Sequence, residues 1–193
     1  MKLNDMKFTE CSWSSVSNVL ECFHYLRRMP AGILACYCMY DPNQLNKVVA
    51  AAVFCNGRIQ YENIFIEFSR LWVSDDFGKN SETYFMAKCL RQLQKKFPNY
   101  RGVVTWADPK QNHNGTVYIA SNFVFDGMSR KVPKYVGSNG RQIYQRTATK
   151  DSIKIGADEP KKRFVYYFDK KQREQKRHIN CCQIDKFNKG AET

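Results

Sequence analysis

Apolar positions along the chain recur in two periods, and these divide it into helices and strands. Between 12 and 28, Val16, Val19, Leu20 and Phe23 stand at i, i+3, i+4 and i+7, with serines before them and Pro30 after, which predicts an amphipathic helix. Ile33 to Tyr40 and Lys47 to Phe54 are apolar runs of strand length. The turn signal Asp41-Pro42-Asn43 separates them and Asn56-Gly57 closes the second, so they predict consecutive antiparallel strands. Asn63 to Val73 reads as a longer strand that ends in the polar loop Ser74 to Asn80. Phe85, Cys89, Leu90, Leu93 and Phe97 then form one stripe of a helix over 81–97, with Asn80 or Ser81 as N-cap, Glu82 in the first turn and Pro98 as its stop. Gly102 to Trp106 (GVVTW) is a short strand, and strand, helix, strand implies a parallel pair with a right-handed crossover. A short helix over 115–121, a strand from 123 to 125 and a last strand over 163–168 (RFVYYF) complete the pattern. From Arg130 to Lys162 the period dissolves, which marks a long functional loop, and DKKQREQKR after Phe168 reads as a solvated helix end or tail.

Composition narrows the class. A chain of 193 residues with 43% hydrophobic side chains supports one domain with a real core. The formal charge of +13 points to an anionic partner such as nucleic acid. It is unevenly spread: residues 1–129 carry 14 basic and 11 acidic side chains, and residues 130–193 carry 17 and 7. No run approaches the length of a membrane span, and Met1 to Glu10 lacks the apolar region of a secretory signal, so a cytosolic chain without a membrane partner is expected. The eight cysteines lie mostly in apolar runs and read as reduced thiols. Cys36 with Cys38, and His178 with Cys181 and Cys182, lack the second pair a structural zinc needs.

The loop Ser74 to Ser81 ends at the free backbone N–H groups of a helix, where anions bind readily. Gly78-Lys79 before Ser81 lacks the upstream glycine of a P-loop. The order of elements resembles the GNAT acyltransferase fold: an α/β domain whose mixed sheet has two splayed parallel strands and is flanked by helices. That resemblance implies that the loop after the long strand binds the pyrophosphate of coenzyme A. It thereby assigns Trp72, Val73, Gly78, Lys79, Asn80, Ser81 and Asn122 to an acetyl-CoA or other activated acyl or glycyl donor. This loop, SDDFGKNSE, departs from the family's pattern in having one glycine and two aspartates. Tyr118 precedes Asn122-Phe123 by the spacing at which GNAT enzymes place a general-acid tyrosine.

Four segments carry a sharper resemblance, to the Mom-type DNA adenine modification proteins of bacteriophages: HYLRRMP from His24 to Pro30, FSRLWV with Asn80 and Glu82 downstream, ADPKQNHNGTVYIASNFVFDG from Ala107 to Gly127, and RFVYYF. The resemblance implies conversion of adenine in double-stranded phage DNA to N6-carbamoylmethyladenine in the host cytoplasm, as protection from restriction endonucleases. A carbamoylmethyl group attaches through a CH2 carbon and ends in an amide, so acetyl transfer alone does not make the product. The catalytic candidates are Tyr118, Asp108, His24 and Ser69, with Asp108 or His24 assisting loss of the N6 proton. Asp108 follows the end of a parallel strand, where α/β sheets place ligand-binding groups, although an Asp-Pro turn or cap would account for it equally. Alternation places Ser69 and Arg70 on opposite faces of the long strand. Tyr25, Arg28, Arg70, His113 and Asn114 are candidates for substrate contact. Trp72, Trp106, Tyr37 and Phe123 are candidates to stack on a base flipped from the duplex. Phosphate contacts are expected from Lys131, Arg141, Arg146 and Lys150 in the basic loop and from Lys170 and Lys171 after it. The expected organisation is a catalytic domain over 1–178 with that loop inserted at 130–162, and a tail over 179–193. No spacing shows a metal-ligand motif, which leaves the metal undetermined. The alternatives are an ordinary acetyl-CoA-dependent N-acetyltransferase of a protein or small molecule, and a non-catalytic DNA-binding protein on the same scaffold.

Overall fold

A computed structural model describes residues 3–45, 47–57, 61, 63–137, 140, 142–143 and 148–177. Arg141, Arg146, His178, Cys181, Cys182 and the proposed tail lie outside the described residues. The elements in chain order are β1 (Lys7–Cys11), α1 (Ser14–Phe23), β2 (Ile33–Asp41), β3 (Lys47–Cys55), β4 (Phe65–Val73), α2 (Ser81–Lys96), β5 (Gly102–Ala107), α3 (Thr116–Ala120), β6 (Val124–Met128), β7 (Val132–Val136), β8 (Gln142–Ile143), β9 (Ile153–Asp158) and β10 (Lys162–Tyr167). A helix over 170–177, here α4, follows. Seven strands form one mixed sheet in the order β1-β2-β3-β4-β5-β10-β6, and three form a second in the order β8-β7-β9.

The alanine-rich run of β3 explains the layering. Ala50, Ala52 and Phe54 face one core with Phe85, Met86, Cys89, Leu90 and Leu93 of α2, while Ala51, Val53 and Cys55 face another with Val16 and Leu20 of α1. Small side chains at the centre of the sheet let a helix approach on each face. Each fully buried large side chain, such as Phe85 or Leu93, contributes about 2 kcal/mol of transfer free energy. Neighbouring strands are antiparallel except β4 and β5, the parallel pair expected from the strand-helix-strand order.

Four expectations need correction. The first helix ends at Phe23 instead of continuing to Arg28: the His24 N–H makes the last helical bond, to the Leu20 carbonyl, and its own backbone is already extended. Neither Asn80 nor Ser81 caps α2 through a side chain, since Asn80 is left-handed and the Ser81 hydroxyl donates backwards to the Gly78 carbonyl. β1 was not expected; it is a half-exposed edge strand without a clean apolar alternation. The basic segment after Arg130 is no long loop. Its strands β7 and β9 pair over Val132↔Asp158 to Val136↔Ile153, with β8 on the outer edge. Among the described residues no helix is long and apolar enough to cross a membrane.

Candidate active site

The site opens where β4 and β5 part. The two strands pair through Phe65↔Gly102, Ile66↔Val103 and Glu67↔Val104 and no further. The Thr105 hydroxyl, almost fully buried, donates to the Phe68 carbonyl across the start of the gap at 3.1 Å. Beyond it lies a wedge-shaped cavity of about 430 Å³, walled by Phe68 to Val73, by Thr105 and Trp106, by His24 and Tyr25, and by Asn112 to Tyr118.

A β-bulge shapes the β4 wall. Val53 faces Arg70 while Phe54 faces Phe68, which leaves Ser69 as the extra residue. Phe68 and Leu71 therefore both pack on the α2 core, and Ser69 and Arg70 both border the cavity. Simple alternation, which placed Ser69 and Arg70 on opposite faces, fails here because the bulge resets the phase. Arg70 is buried, and its partners are carbonyls: Nε donates to Arg28 at 3.2 Å and Nη1 to Ser69 at 2.7 Å.

Tyr118 stands on α3 among Phe68, Phe123 and Phe164, with ring centroids 5.6 to 6.3 Å away. Burial raises its phenol above the ordinary tyrosine value and outweighs the opposing effect of the Thr105 hydroxyl. It therefore stays protonated at neutral pH, the state a proton donor needs. Gly115 makes this placement possible. Its φ is +83°, and a Cβ there would lie 2.2 Å from the Phe164 ring. Only glycine turns the chain into α3 this close to the core.

His24, one of the two residues expected to assist loss of the N6 proton, has its Nδ1 engaged by the backbone. Burial first, then the charge of Arg70 and the neighbouring His113, hold its pKa down to about 4, so the ring is neutral. Its Nδ1 accepts from the Leu26 N–H at 3.2 Å, so the neutral ring carries its proton on Nε2. It is a donor, with its lone pair already engaged. Tyr25 stacks on it at 4.5 Å, and His113 meets the edge of Tyr25 at 5.5 Å.

Asp108 does not border the cavity. Its Oδ1 accepts from the Lys110 N–H at 3.1 Å as the cap of the turn Pro109–Gln111, and its Oδ2 pairs with Lys161 Nζ at 2.7 Å. Burial alone would raise its pKa, but Lys161 and the Lys110 N–H outweigh it and hold the carboxyl below the usual range. A carboxylate so engaged is a poor base, and Asp108 is instead a staple. The same turn is tied to the second sheet by Lys110 and Lys134, which reach Asp158 at 3.4 and 2.8 Å.

Of the expected stacking residues, Tyr37 and Phe123 are core side chains. Trp72 borders the cavity and stacks on Phe23 at 5.3 Å, and Trp106 also borders it. The expected donor residues divide likewise: Trp72 and Val73 line the wedge, whereas Gly78 to Ser81 lead into α2 outside its lining. Asn122 accepts a 2.7 Å hydrogen bond from Arg177 instead of facing the wedge. Sequence reasoning did not single out Thr105 and Gly115, and it quoted Glu82, which also lines the cavity, only as part of the helix and of the family resemblance. A lone hydroxyl within the apolar GVVTW was the available signal for Thr105. Tyr25, His113 and Asn114 gather at the wedge, Arg28 lies on an adjoining groove, and Lys131, Lys150, Lys170 and Lys171 are exposed outside both. Among the described residues no three His, Cys, Asp or Glu side chains are grouped to hold a metal ion.

Comparison with solved structures places the fold. Arabidopsis thaliana NAA60, solved with acetyl-CoA, superposes with a TM-score of 0.55 at 11% identity, over 84% of this chain and 99% of that one. A putative phosphinothricin N-acetyltransferase gives 0.54 at 14%, over 86% and 99%. The chain thus has the GNAT architecture expected from its sequence. The methylcarbamoylase mom of Escherichia phage Mu is 35% identical over 63 residues, which are 33% of this chain and about a quarter, 26%, of that protein. The wider agreement is with the Mom protein family, which the sequence matches from residue 5 to residue 184; the chain belongs to that family.

Proposed function

We propose that the chain is a transferase that modifies adenine in double-stranded phage DNA to N6-carbamoylmethyladenine, in the host cytoplasm, and thereby shields that DNA from restriction endonucleases. Within a duplex the Watson–Crick edge of adenine is inaccessible, so such an enzyme must receive an extruded base. The observation that carries the reading is the wedge itself. It combines aromatic surface from Trp72, Trp106 and Tyr25 with a half-buried, protonated Tyr118 and the neutral donor His24. The related phage Mu protein, a methylcarbamoylase by name, supports the direction of the chemistry.

An acyl-CoA-type donor fits groups the chain possesses. Past Glu67 the edge of β4 toward β5 has no ladder partner. The first amides of α2 have no side-chain cap, and Lys79 lies exposed beside them. Asp75 and Asp76 share that loop, but Asp76 is engaged by the Ser74 hydroxyl at 2.8 Å. Such a donor supplies an electrophilic carbon. Attack by N6 on an acyl carbon gives an amide link, so the product's CH2 link and terminal amide require a donor activated at its CH2 carbon or a further step with a nitrogen source. Tyr118 gives its proton to the departing anion, the proton that N6 loses on forming the new bond returns to the Tyr118 phenolate directly or through water, and His24 donates to an acceptor on the base; Asp108 and His24 are both engaged elsewhere, and neither is assigned the N6 proton. Nucleoside mass spectrometry of DNA from cells expressing the chain tests the reading, because a new deoxyadenosine adduct supports it and unchanged deoxyadenosine refutes it.

The acetyltransferase neighbours favour a second reading, N-acetyl transfer to a protein or small molecule. It predicts thermal stabilisation by acetyl-CoA together with indifference to DNA.

A further inference from the structure

A second, larger hollow adjoins the wedge. It is a groove of about 1000 Å³ between the main body and the small sheet β8-β7-β9. The two hollows share Ser69, Arg70 and Trp106, so the bulge of β4 forms a common wall. The lining of the groove is unlike that of the wedge. Among the described residues six cations line it against three carboxylates, Glu67, Asp158 and Glu159, and most of the cations are committed: Lys134 to Asp158, Lys161 to Asp108, Arg163 to Asp126 and Arg70 to backbone carbonyls. Arg28 and Arg130 are the exceptions. Both are exposed, both line the groove, and no described carboxylate pairs with either guanidinium. They come to the groove from different parts of the chain, Arg28 from the segment after α1 and Arg130 from the segment entering β7.

We propose that this groove is the track for the DNA phosphodiester backbone flanking the target base, with Arg28 and Arg130 as its phosphate contacts and the shared wall at Ser69, Arg70 and Trp106 as the point where the base turns into the wedge. The inference rests on the adenine reading above. Two exposed guanidiniums in one groove, neither paired with a described carboxylate, suit a chain of phosphates, each of which offers a fork of acceptor oxygens. The paired cations hold the walls, since the Lys110–Asp158–Lys134 contacts fasten the small sheet to the turn that leads into the wedge. The continuity of the two hollows gives backbone and base one path. Basic side chains elsewhere, such as Lys170 and Lys171 on α4, do not border this path.

The test is duplex DNA binding by the full chain across a salt series, comparing wild type with the double variant Arg28→Glu/Arg130→Glu. A second double reversal, Arg91→Glu/Lys95→Glu, lies on the exposed side of α2, which packs against the opposite face of the sheet from α1, and matches the change in net charge. Loss of two phosphate contacts flattens the slope of log K against log salt by about 1.8 and weakens binding at low salt by roughly tenfold or more. The α2 variant keeps the wild-type slope. Substituting the Arg28 side chain leaves the carbonyl that Arg70 uses, and Arg28→Ala/Arg130→Ala repeats the measurement should the reversal lower thermal stability. Equal losses in both reversals, or a groove variant with wild-type slope, overturn the track while leaving the adenine reading standing. A wild-type chain that binds no DNA at any salt overturns both.

Discussion

The wedge and the groove share a wall yet are built by opposite means. The wedge is cut into the hydrophobic core by two strands that stop pairing, and its chemistry comes from burial: a tyrosine kept protonated and a histidine kept neutral. The groove is held by ion pairs between segments, and two of its cations are left exposed with no described carboxylate paired to them. Desolvation sets protonation states where bonds are to change. Charge in contact with solvent serves where a polyanion only has to be held, and salt weakens it there.

The sharpest way to break this contrast is at Tyr118. Tyr118→Phe keeps the aromatic packing and removes the proton, so modification is expected to fall roughly 10²–10⁴-fold, as for loss of a general acid, with DNA binding and its salt slope unchanged. Parallel loss of DNA binding would show that the two regions are not separable. Next in size is Gly115→Ala, which meets both a left-handed backbone and the Phe164 ring. It is expected to destabilise the fold by about 2–4 kcal/mol in denaturant titration. His24 gives a pH signature. Its folded pKa of about 4 lies below the ordinary 6.5, so the unfolded chain takes up the proton first as pH falls. The stability it contributes is complete above pH 6.5 and is lost progressively as the pH drops toward 4, by at most about 3 kcal/mol. His24→Gln should abolish that slope in pH-dependent melting. The smallest effect belongs to Asp108→Asn, which weakens the Lys161 staple: about 1 kcal/mol or less in stability, and modification within a few-fold of wild type. A loss as deep as that of Tyr118→Phe would restore Asp108 as the base.

The same contrast decides what the sequence disclosed. The strands and helices around the wedge carry strong apolar periods, and β2, β3, β4, α2, β5 and α3 were all expected close to their observed bounds. Tyr118, Tyr25, His113 and Trp72, named as candidates from the family resemblance, all line the wedge. The small sheet was illegible because its strands bury almost nothing: Ile153 and Ile155 are exposed, and the ladder is completed by Lys134–Asp158 and its neighbours, which no period announces. The bulge at Ser69 was hidden for a related reason. Nothing in FSRLWV marks an extra residue, and only the slip against Val53 and Phe54 reveals it. Asp108 stayed ambiguous because a strand-end aspartate before proline serves a ligand or a turn equally well, and its partner Lys161 lies far along the chain.

The most direct test of the central claim is the fraction of deoxyadenosine converted in DNA from cells expressing the wild-type chain or Tyr118→Phe at matched levels, read by nucleoside mass spectrometry. A carbamoylmethyl adduct on N6 with wild type, and its near-absence with Tyr118→Phe, is the predicted result; unmodified deoxyadenosine with wild type, or equal modification by both, contradicts it.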